Sequence, residues 1–393
     1  MPVAPNESAP VEFSIVLPCL NEAETLVVCI NKARQTLRDH KIVGEVIVAD
    51  NGSTDGSPDI AARLGARVVN VAAKGYGNAL MAGIAAARGK FVLMADADDS
   101  YDLLEAHKFV VKLRVGFELV QGCRLPAGGG TVKAGAMPFT HRWIGNPGFS
   151  LMARWMFHAP IHDAYCGMRA FTKELFERLN LRCTGMEFAT EMILKAGLFR
   201  VKIAEVPITL HPDGRVTRSP HLRTIRDGWR TLRLYLLFSP RWLFAYPGLT
   251  LILLGMIGYG VALPGVTFHG ATFDAHTLLF ASLALLMGYQ ALLFGIFAKT
   301  FAVNEGLLPE NRAYKRFYAV MNLERGLLLG VTAFVFGVGL LLGAVNQWRA
   351  AGFGHLEYAH TMRWVVPGVT LAALGFQTIL SGFFVSVLGL RLR

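Results

Sequence analysis

Two aspartates one residue apart, Asp96-Ala97-Asp98, follow the apolar run Phe91–Ala95. If that run is a buried strand, ionised carboxylates at its end need a compensating partner. Strand alternation sends both toward the same side. There they could supply the one or two carboxylates that Mg²⁺ or Mn²⁺ takes alongside water and diphosphate oxygens. Asp-x-Asp is common by chance, so the weight of the pair comes from its place after a central strand, with a structural turn as the alternative. Asp99 and Asp102, just downstream, read as caps of the next helix.

Two other polar clusters sit at comparable places. Pro18-Cys19-Leu20-Asn21-Glu22 ends one apolar run, and the turn Asp50-Asn51-Gly52-Ser53-Thr54-Asp55-Gly56-Ser57 ends another. Each either caps a helix or offers amide and carboxylate groups to the base and ribose of a nucleotide. A dinucleotide-type glycine motif at Gly75-Tyr76-Gly77 fails, because Leu80 stands where a third small residue is required.

The elements that must position these groups alternate. Glu12–Pro18, Glu45–Ala49, Arg67–Val71, Phe91–Ala95 and Phe117–Gln121 read as strands. Helical segments at Glu22–His40, Ser57–Leu64 and Tyr76–Arg88 lie between them. That order predicts an α/β domain with a parallel sheet. Ligands of such sheets bind beyond the carboxyl ends of the strands, where the polar clusters all fall.

Behind this half lie four apolar stretches, Trp242–Pro264, His276–Phe301, Gly326–Val345 and Val365–Leu388, each long enough to cross a bilayer. They account for a hydrophobic content of 53%, too high for an ordinary soluble protein. Lys299, Arg312, Lys315, Arg316 and Arg325 crowd the middle loop, and Arg391 and Arg393 end the chain, whereas Gly265–Ala275 has no basic residue. The expectation is a multi-pass protein of the inner (cell) membrane with its first half cytoplasmic; Arg349 and Arg363 are a mild inconsistency. Met1–Glu7 has neither a basic nor an apolar leader segment, so no secretory signal is expected. Five cysteines without Cys-x-x-Cys spacing read as idle thiols. A net charge of +11 suits anionic headgroups or phosphates, and with no RNA-binding or zinc-finger pattern nucleic acid is not expected.

The ordered set of Pro18–Glu22, Asp50–Ser57, Asp96-Ala97-Asp98, Gly122-Cys123-Arg124 and Asp163-Ala164-Tyr165-Cys166-Gly167-Met168-Arg169 resembles the inverting family 2 glycosyltransferases. Within them it is similar to polyprenyl- or dolichyl-phosphate sugar synthases with added membrane spans. The resemblance implies a GT-A catalytic domain (Rossmann-like, mostly parallel sheet) over 12–220, after a flexible start at 1–11. An interfacial amphipathic helix over 221–240 and a four-helix transmembrane domain over 241–393 would follow. It further implies a nucleotide site at Pro18, Asn21, Glu22, Asp50, Asn51 and Asp96, and Mg²⁺ or Mn²⁺ on Asp96 and Asp98. Arg124 and Arg142 would be acceptor-phosphate ligands working with Asp98 in catalysis, and Arg215 and Arg218 would sit on a loop over the donor diphosphate. The implied partners are a UDP- or GDP-linked sugar, a polyprenyl phosphate and the bilayer. Many relatives have a second acid where Asn51 stands, and related synthases often continue with Leu-Gln where this chain has Asp99-Ser100. Base contacts and a third metal ligand are therefore open.

From the residues alone, Arg124, Arg142, Arg215 and Arg218 could equally form surface salt bridges or bind headgroups. In His221–Phe238 an apolar stripe (Leu222, Ile225, Trp229, Leu232, Leu236) runs beside Arg223, Arg226, Arg230 and Arg233. That pattern predicts a helix at the lipid interface, with a core-packed helix as its rival. Glu187 and Glu191 share a helix face and read as structural or donor-positioning, since an anionic lipid phosphate needs no base. A processive polysaccharide synthase is the alternative enzyme, but neither Gln121-Gly122-Cys123-Arg124-Leu125 nor Phe139–Trp143 fits its Gln-x-x-Arg-Trp motif. A lipid-sugar flippase, or an anchor carrying an idle domain, is the alternative outside catalysis. The sequence leaves the oligomeric state open, a homo-oligomer included.

Overall fold

Phe13–Cys19 (β1) and Gly44–Asp50 (β2) are largely apolar and largely buried, the pattern of strands covered on both faces. They belong to the computed structural model of the chain, which describes residues 10–215 and 224–389. Residues 1–9 of the expected flexible start, and Arg218, Leu222 and Arg223, lie outside the described residues. The further strands are Arg67–Asn70 (β3), Phe91–Met94 (β4), Leu119–Cys123 (β5), Thr131–Val132 (β6), Arg169–Thr172 (β7), Ile203–Pro207 (β8) and Thr209–Leu210 (β9). Seven of them form one sheet in the order β3-β2-β1-β4-β7-β5-β8. The expected mostly parallel α/β sheet is present.

Register is what assembles the site. Cys19 pairs with Asp50 in parallel β1 and β2, and Val16 pairs with Met94 in parallel β1 and β4. The three polar clusters therefore leave neighbouring strands at the same edge. Strand order reverses between β1 and β4, and that switch point opens a crevice for ligands.

Two strand expectations need correction. β5 begins at Leu119 rather than Phe117, because its parallel pairing with β8 starts at Leu119 opposite Ile203. β7 was not expected at all; it runs antiparallel between β4 and β5. Its first residue is a fully buried arginine, Arg169, and it is four residues long, so no apolar run announces it.

Helices Leu26–Asp39 (α1), Ser57–Arg63 (α2), Tyr76–Ala86 (α3) and His107–Arg114 (α4) accompany the sheet, followed by Asn146–Phe157 (α5), Lys173–Leu179 (α6) and Glu187–Leu198 (α7). A wide π turn, His141–Gly145, leads into α5, whose second residue is Pro147. Proline has no N–H to close an ordinary turn there, and the wider turn accommodates the gap. Thr224–Leu237 (α8) has buried and exposed residues. Thr231, Leu234 and Tyr235 are buried, and the Tyr235 hydroxyl donates to the Phe149 carbonyl at 3.0 Å. Trp229 and Arg233 remain exposed.

The chain divides into two compact units between Tyr235 and Leu236. The second holds Tyr246–Ala262 (α9, extended back to Arg241 by another π turn before a proline), Ala275–Asn304 (α10), Arg312–Val320 (α11), Leu323–Ala350 (α12) and Tyr358–Gly389 (α13). All but the short α11 are long and apolar enough to cross a membrane. Small residues bring their backbones together, as membrane helices require. A Cβ on Gly248 would meet the Gly288 carbonyl at 2.8 Å, and one on Gly337 the Ala372 nitrogen at 2.4 Å. The Tyr259 hydroxyl bonds to Ser282 (2.6 Å) and Thr370 (3.0 Å), linking three helices.

Candidate active site

The first polar cluster is held by the second. Asn21 sits at φ 59°, and its side-chain oxygen accepts from the Thr54 N–H at 2.7 Å. The Asn21 and Glu22 N–H groups donate to the hydroxyls of Ser53 (2.8 Å) and Ser57 (3.0 Å). Asp50 accepts from the N–H groups of Gly52 and Ser53 within its own turn. Asn51 is also committed: its amide donates to the carbonyls of Val71 (3.1 Å) and Ala73 (2.8 Å) and accepts from the Gly75 N–H (2.8 Å). These bonds fix the loops around the crevice.

A cavity of about 360 Å³ opens at the switch point, walled by Pro18, Glu22, Asn51, Asp96, Asp98 and Arg215 among others. Asn21, Asp50, Arg124 and Arg142 are not in its wall. Four carboxylates line it, from Glu22, Asp96, Asp98 and Asp213, against the cations of Lys74 and Arg215. Arg215 bridges three of these acids, at 2.8 Å from Glu22, 3.4 Å from Asp98 and 3.3 Å from Asp213. Asp98 also accepts from the Ser100 N–H and hydroxyl. Asp96 receives a hydrogen bond from the Tyr76 hydroxyl at 2.8 Å. Burial, then the neighbouring Asp98 charge, push the Asp96 carboxyl up to about 6. Burial likewise raises Glu22, against the opposing pull of Arg215.

One edge of the Arg124 guanidinium is held by an acid, and its Nη1 lies 3.4 Å from the Tyr101 hydroxyl. Arg124 is buried, and its Nε and Nη2 donate to the two oxygens of Asp163 at 2.7 and 2.8 Å. Burial disfavours its charge, but Asp163 outweighs that and holds it well above the ordinary arginine value. Asp163 is fully buried and also accepts from the Arg124 N–H. The run it begins packs against Asp96: a Cβ on Gly167 would lie 2.8 Å from an Asp96 oxygen. Arg142 is different. It lies on the π turn before α5, stacked on Trp143 at 5.3 Å, and its Nε has no hydrogen-bond partner. Near it in the chain Phe139, Trp143, Ile144, Leu151 and Trp155 are each more than half exposed. Glu191 is structural, buried against Lys195 at 2.9 Å, and Glu187 faces Arg230 at 3.8 Å. Asp102 caps the following turn as expected, whereas Asp99 pairs with Lys32 at 2.8 Å.

The sequence profile described as "Glycosyl transferase family 2" matches residues 14–179, and that of the "Glycosyltransferase family 2 C-terminal transmembrane region" matches residues 296–389. The low-salt glycan biosynthesis hexosyltransferase Agl6 of Haloferax volcanii is 36% identical over 96% of this chain and 89% of its own. The chain belongs to glycosyltransferase family 2. A dolichyl-phosphate hexose transferase of the same organism is 34% identical over 42% of this chain and 68% of its own. Among solved structures, glucosyl-3-phosphoglycerate synthase from Mycobacterium tuberculosis, bound to Mn²⁺, UDP and glucosyl-3-phosphoglycerate, aligns with a TM-score of 0.44. It is 23% identical, over 57% of this chain and 77% of that one. The protein is thus a membrane glycosyltransferase with a GT-A catalytic fold.

The transferase's cleft fits a divalent cation. Its acids outnumber its bases by a charge of two, and the repulsion that raises Asp96 is what a cation would relieve. No group of three or more His, Cys, Asp or Glu side chains poised for a metal occurs among the described residues. The ion would therefore be completed by substrate oxygens and water. A pH dependence follows. The folded pKa of Asp96 lies above its ordinary 3.8, so its contribution to the stability of the ligand-free protein falls as pH rises from there through about 6. Cation binding has the opposite slope, because it needs the carboxylate: Mn²⁺ affinity should drop by up to about tenfold per pH unit below that point. Tyr76→Phe removes a bond that favours the carboxylate and should move the bend in log affinity upward, as Mn²⁺ titrations across pH 5–8 would record. An unmoved bend would remove Tyr76 from this role.

Sequence reasoning missed Lys74, Tyr76 and Asp213 in the cleft. Lys74 precedes the rejected glycine motif and Tyr76 lies inside it; its glycines serve close packing, since a Cβ on Gly75 or Gly77 would lie 2.5 or 2.4 Å from the carbonyls of Thr184 and Cys183. It also missed the exposed face around α5, although Ile144, Leu151 and Trp155 recur at helical spacing.

Proposed function

We propose that this transferase moves a single sugar from a nucleoside diphosphate to a polyprenyl phosphate, with its catalytic unit on the cytoplasmic side of the cell membrane. The observation that carries the lipid acceptor is the exposed aromatic and aliphatic face at Phe139, Trp143, Ile144, Leu151 and Trp155. It shares a turn and helix with Arg142, whose Nε has no hydrogen-bond partner, on the same unit as the cleft. An apolar face of this kind beside a cation suits a bilayer surface rather than water. The basic loop between the second and third spans supports the orientation.

In this reading Asp96 and Asp98 hold Mg²⁺ or Mn²⁺, which supplies positive charge to the donor diphosphate and to the departing nucleotide. Arg215 leaves Glu22 and Asp98 for the diphosphate, a charge-assisted exchange of carboxylate for phosphate partners. Arg142 holds the acceptor phosphate. One of that phosphate's oxygens attacks the anomeric carbon as the bond to the diphosphate breaks, inverting the centre. The nucleophile is already anionic, so no side chain takes a proton from it. Arg124, locked to Asp163, positions the run that packs against Asp96.

The test is a panel of labelled UDP- and GDP-linked glucose, mannose and N-acetylhexosamine, offered with polyprenyl phosphate to the purified full chain. One donor should yield a lipid-extractable product bearing a single sugar, and Arg142→Ala should raise the KM for the lipid without changing nucleotide affinity. A polymer, or label released only as free sugar, would overturn the reading.

A further inference from the structure

The second unit contains a small cavity of its own, about 190 Å³, walled by Ile296, Lys299, Thr300, Tyr314, Phe317 and Tyr318. Lys299 lies near the end of α10. Its one hydrogen bond among the described residues goes to the neutral side-chain oxygen of Asn311, at 3.2 Å, which also accepts from the Tyr314 N–H. The Tyr314 ring lies 5.6 Å from its ammonium. No carboxylate pairs with it among the described residues, and the charge of Arg241, at the start of the first span, acts on it as well. The Thr300 and Tyr318 hydroxyls bond to each other beside it. A half-buried ammonium whose one hydrogen bond goes to a neutral amide, with no carboxylate paired to it among the described residues, lacks an anion.

The surroundings narrow what that anion is. α11 turns Tyr314, Phe317 and Tyr318 toward the cavity and leaves Arg312, Lys315 and Arg316 exposed, so a basic surface borders the pocket at the end of a span. Such surfaces concentrate anionic lipid. At 190 Å³ the cavity is below the roughly 300–1,000 Å³ of sites that enclose drug-sized ligands, too small for a nucleotide sugar. Ile296 and Phe317 give it an apolar side for an acyl or isoprenoid stem.

We propose that Lys299 binds the phosphate group of a membrane lipid within the transmembrane unit. The proposal rests on the lipid-acceptor reading only for its choice of isoprenoid probe. Bulk anionic phospholipid offers the same chemistry, so the experiment carries both. The full chain in phosphatidylcholine nanodiscs is labelled with a photoactivatable farnesyl phosphate, and crosslinks are mapped by peptide. Labelling in 291–320 should be competed by farnesyl phosphate and not by farnesol. Lys299→Gln should weaken it about tenfold, the loss of one charged hydrogen bond, while Lys299→Arg restores it and Mn²⁺–nucleotide binding stays unchanged. Competition by farnesyl phosphate alone would assign the pocket to the isoprenoid, and equal competition by phosphatidylglycerol to anionic lipid at large; either result upholds the phosphate site. Competition by farnesol as effective as by its phosphate, or labelling indifferent to Lys299→Gln, overturns it. Labelling lost in Lys299→Gln upholds the pocket even if the wild type makes no lipid-linked sugar, so its fate is separable from that of the proposed reaction.

Discussion

Asp98→Ala is expected to lower sugar transfer by about 10³-fold, the scale on which removal of a preorganised charge-stabilising group registers. Three consequences combine. One of the two carboxylates proposed to hold the cation is gone. Arg215 loses one of its three acidic partners and closes on Glu22 and Asp213. Asp96 is freed of its nearest repulsion, so its carboxyl should fall toward the ordinary range. Asp98→Asn separates shape from charge: its side-chain oxygen can still accept from Ser100, yet its activity should be nearly as low as that of the alanine variant. Initial rates at saturating donor decide the matter. An asparagine variant with near-native rates would remove charge from the account.

Asp163→Ala should act on the fold. It leaves Arg124 buried with its bidentate partner removed, and breaking a buried pair from one side costs about 3–5 kcal/mol. For a catalytic unit of this size that is a large share of the roughly 5–15 kcal/mol that separates folded from unfolded chains. The variant should unfold at markedly lower temperature or fail to accumulate. Replacing both partners, Arg124→Met with Asp163→Leu, should be less harmful than either single change, because no charge is left stranded. Thermal unfolding reads stability, and transfer assays on the double variant read function. A stable double variant that still binds donor but has lost lipid acceptor would favour the phosphate-binding role that the family resemblance implies for Arg124.

The Arg124–Asp163 pair shows where reading the sequence stops. The motifs after β1, β2 and β4 were legible because strands buried on both faces are continuous apolar runs, and polar residues at their ends have one edge to share. The metal-fitting pair, Glu22 and Arg215 do meet in one cleft. Partners distant in the chain were not legible. Arg124 finds Asp163 39 residues on, and Asp96 finds Tyr76 20 residues back. Sequence supplies the residue types but not which side chain satisfies which. Nothing local shows that the Asn51 amide bonds to Val71, Ala73 and Gly75. β7 was hidden by its buried arginine. The four spans, by contrast, were plain, since a bilayer demands about 20 apolar residues in a row whatever the fold around them.

The account turns on a cation shared between Asp96, Asp98 and the donor diphosphate, and calorimetry of nucleotide binding tests that most directly. UDP and GDP would each be titrated into the full chain with Mn²⁺ and again with excess chelator, for wild type and Asp98→Ala. One nucleotide should bind the wild type tightly with Mn²⁺ and only weakly with chelator, and the variant should show the weak value in both conditions. Equal affinity for that nucleotide with and without the ion would contradict the central claim.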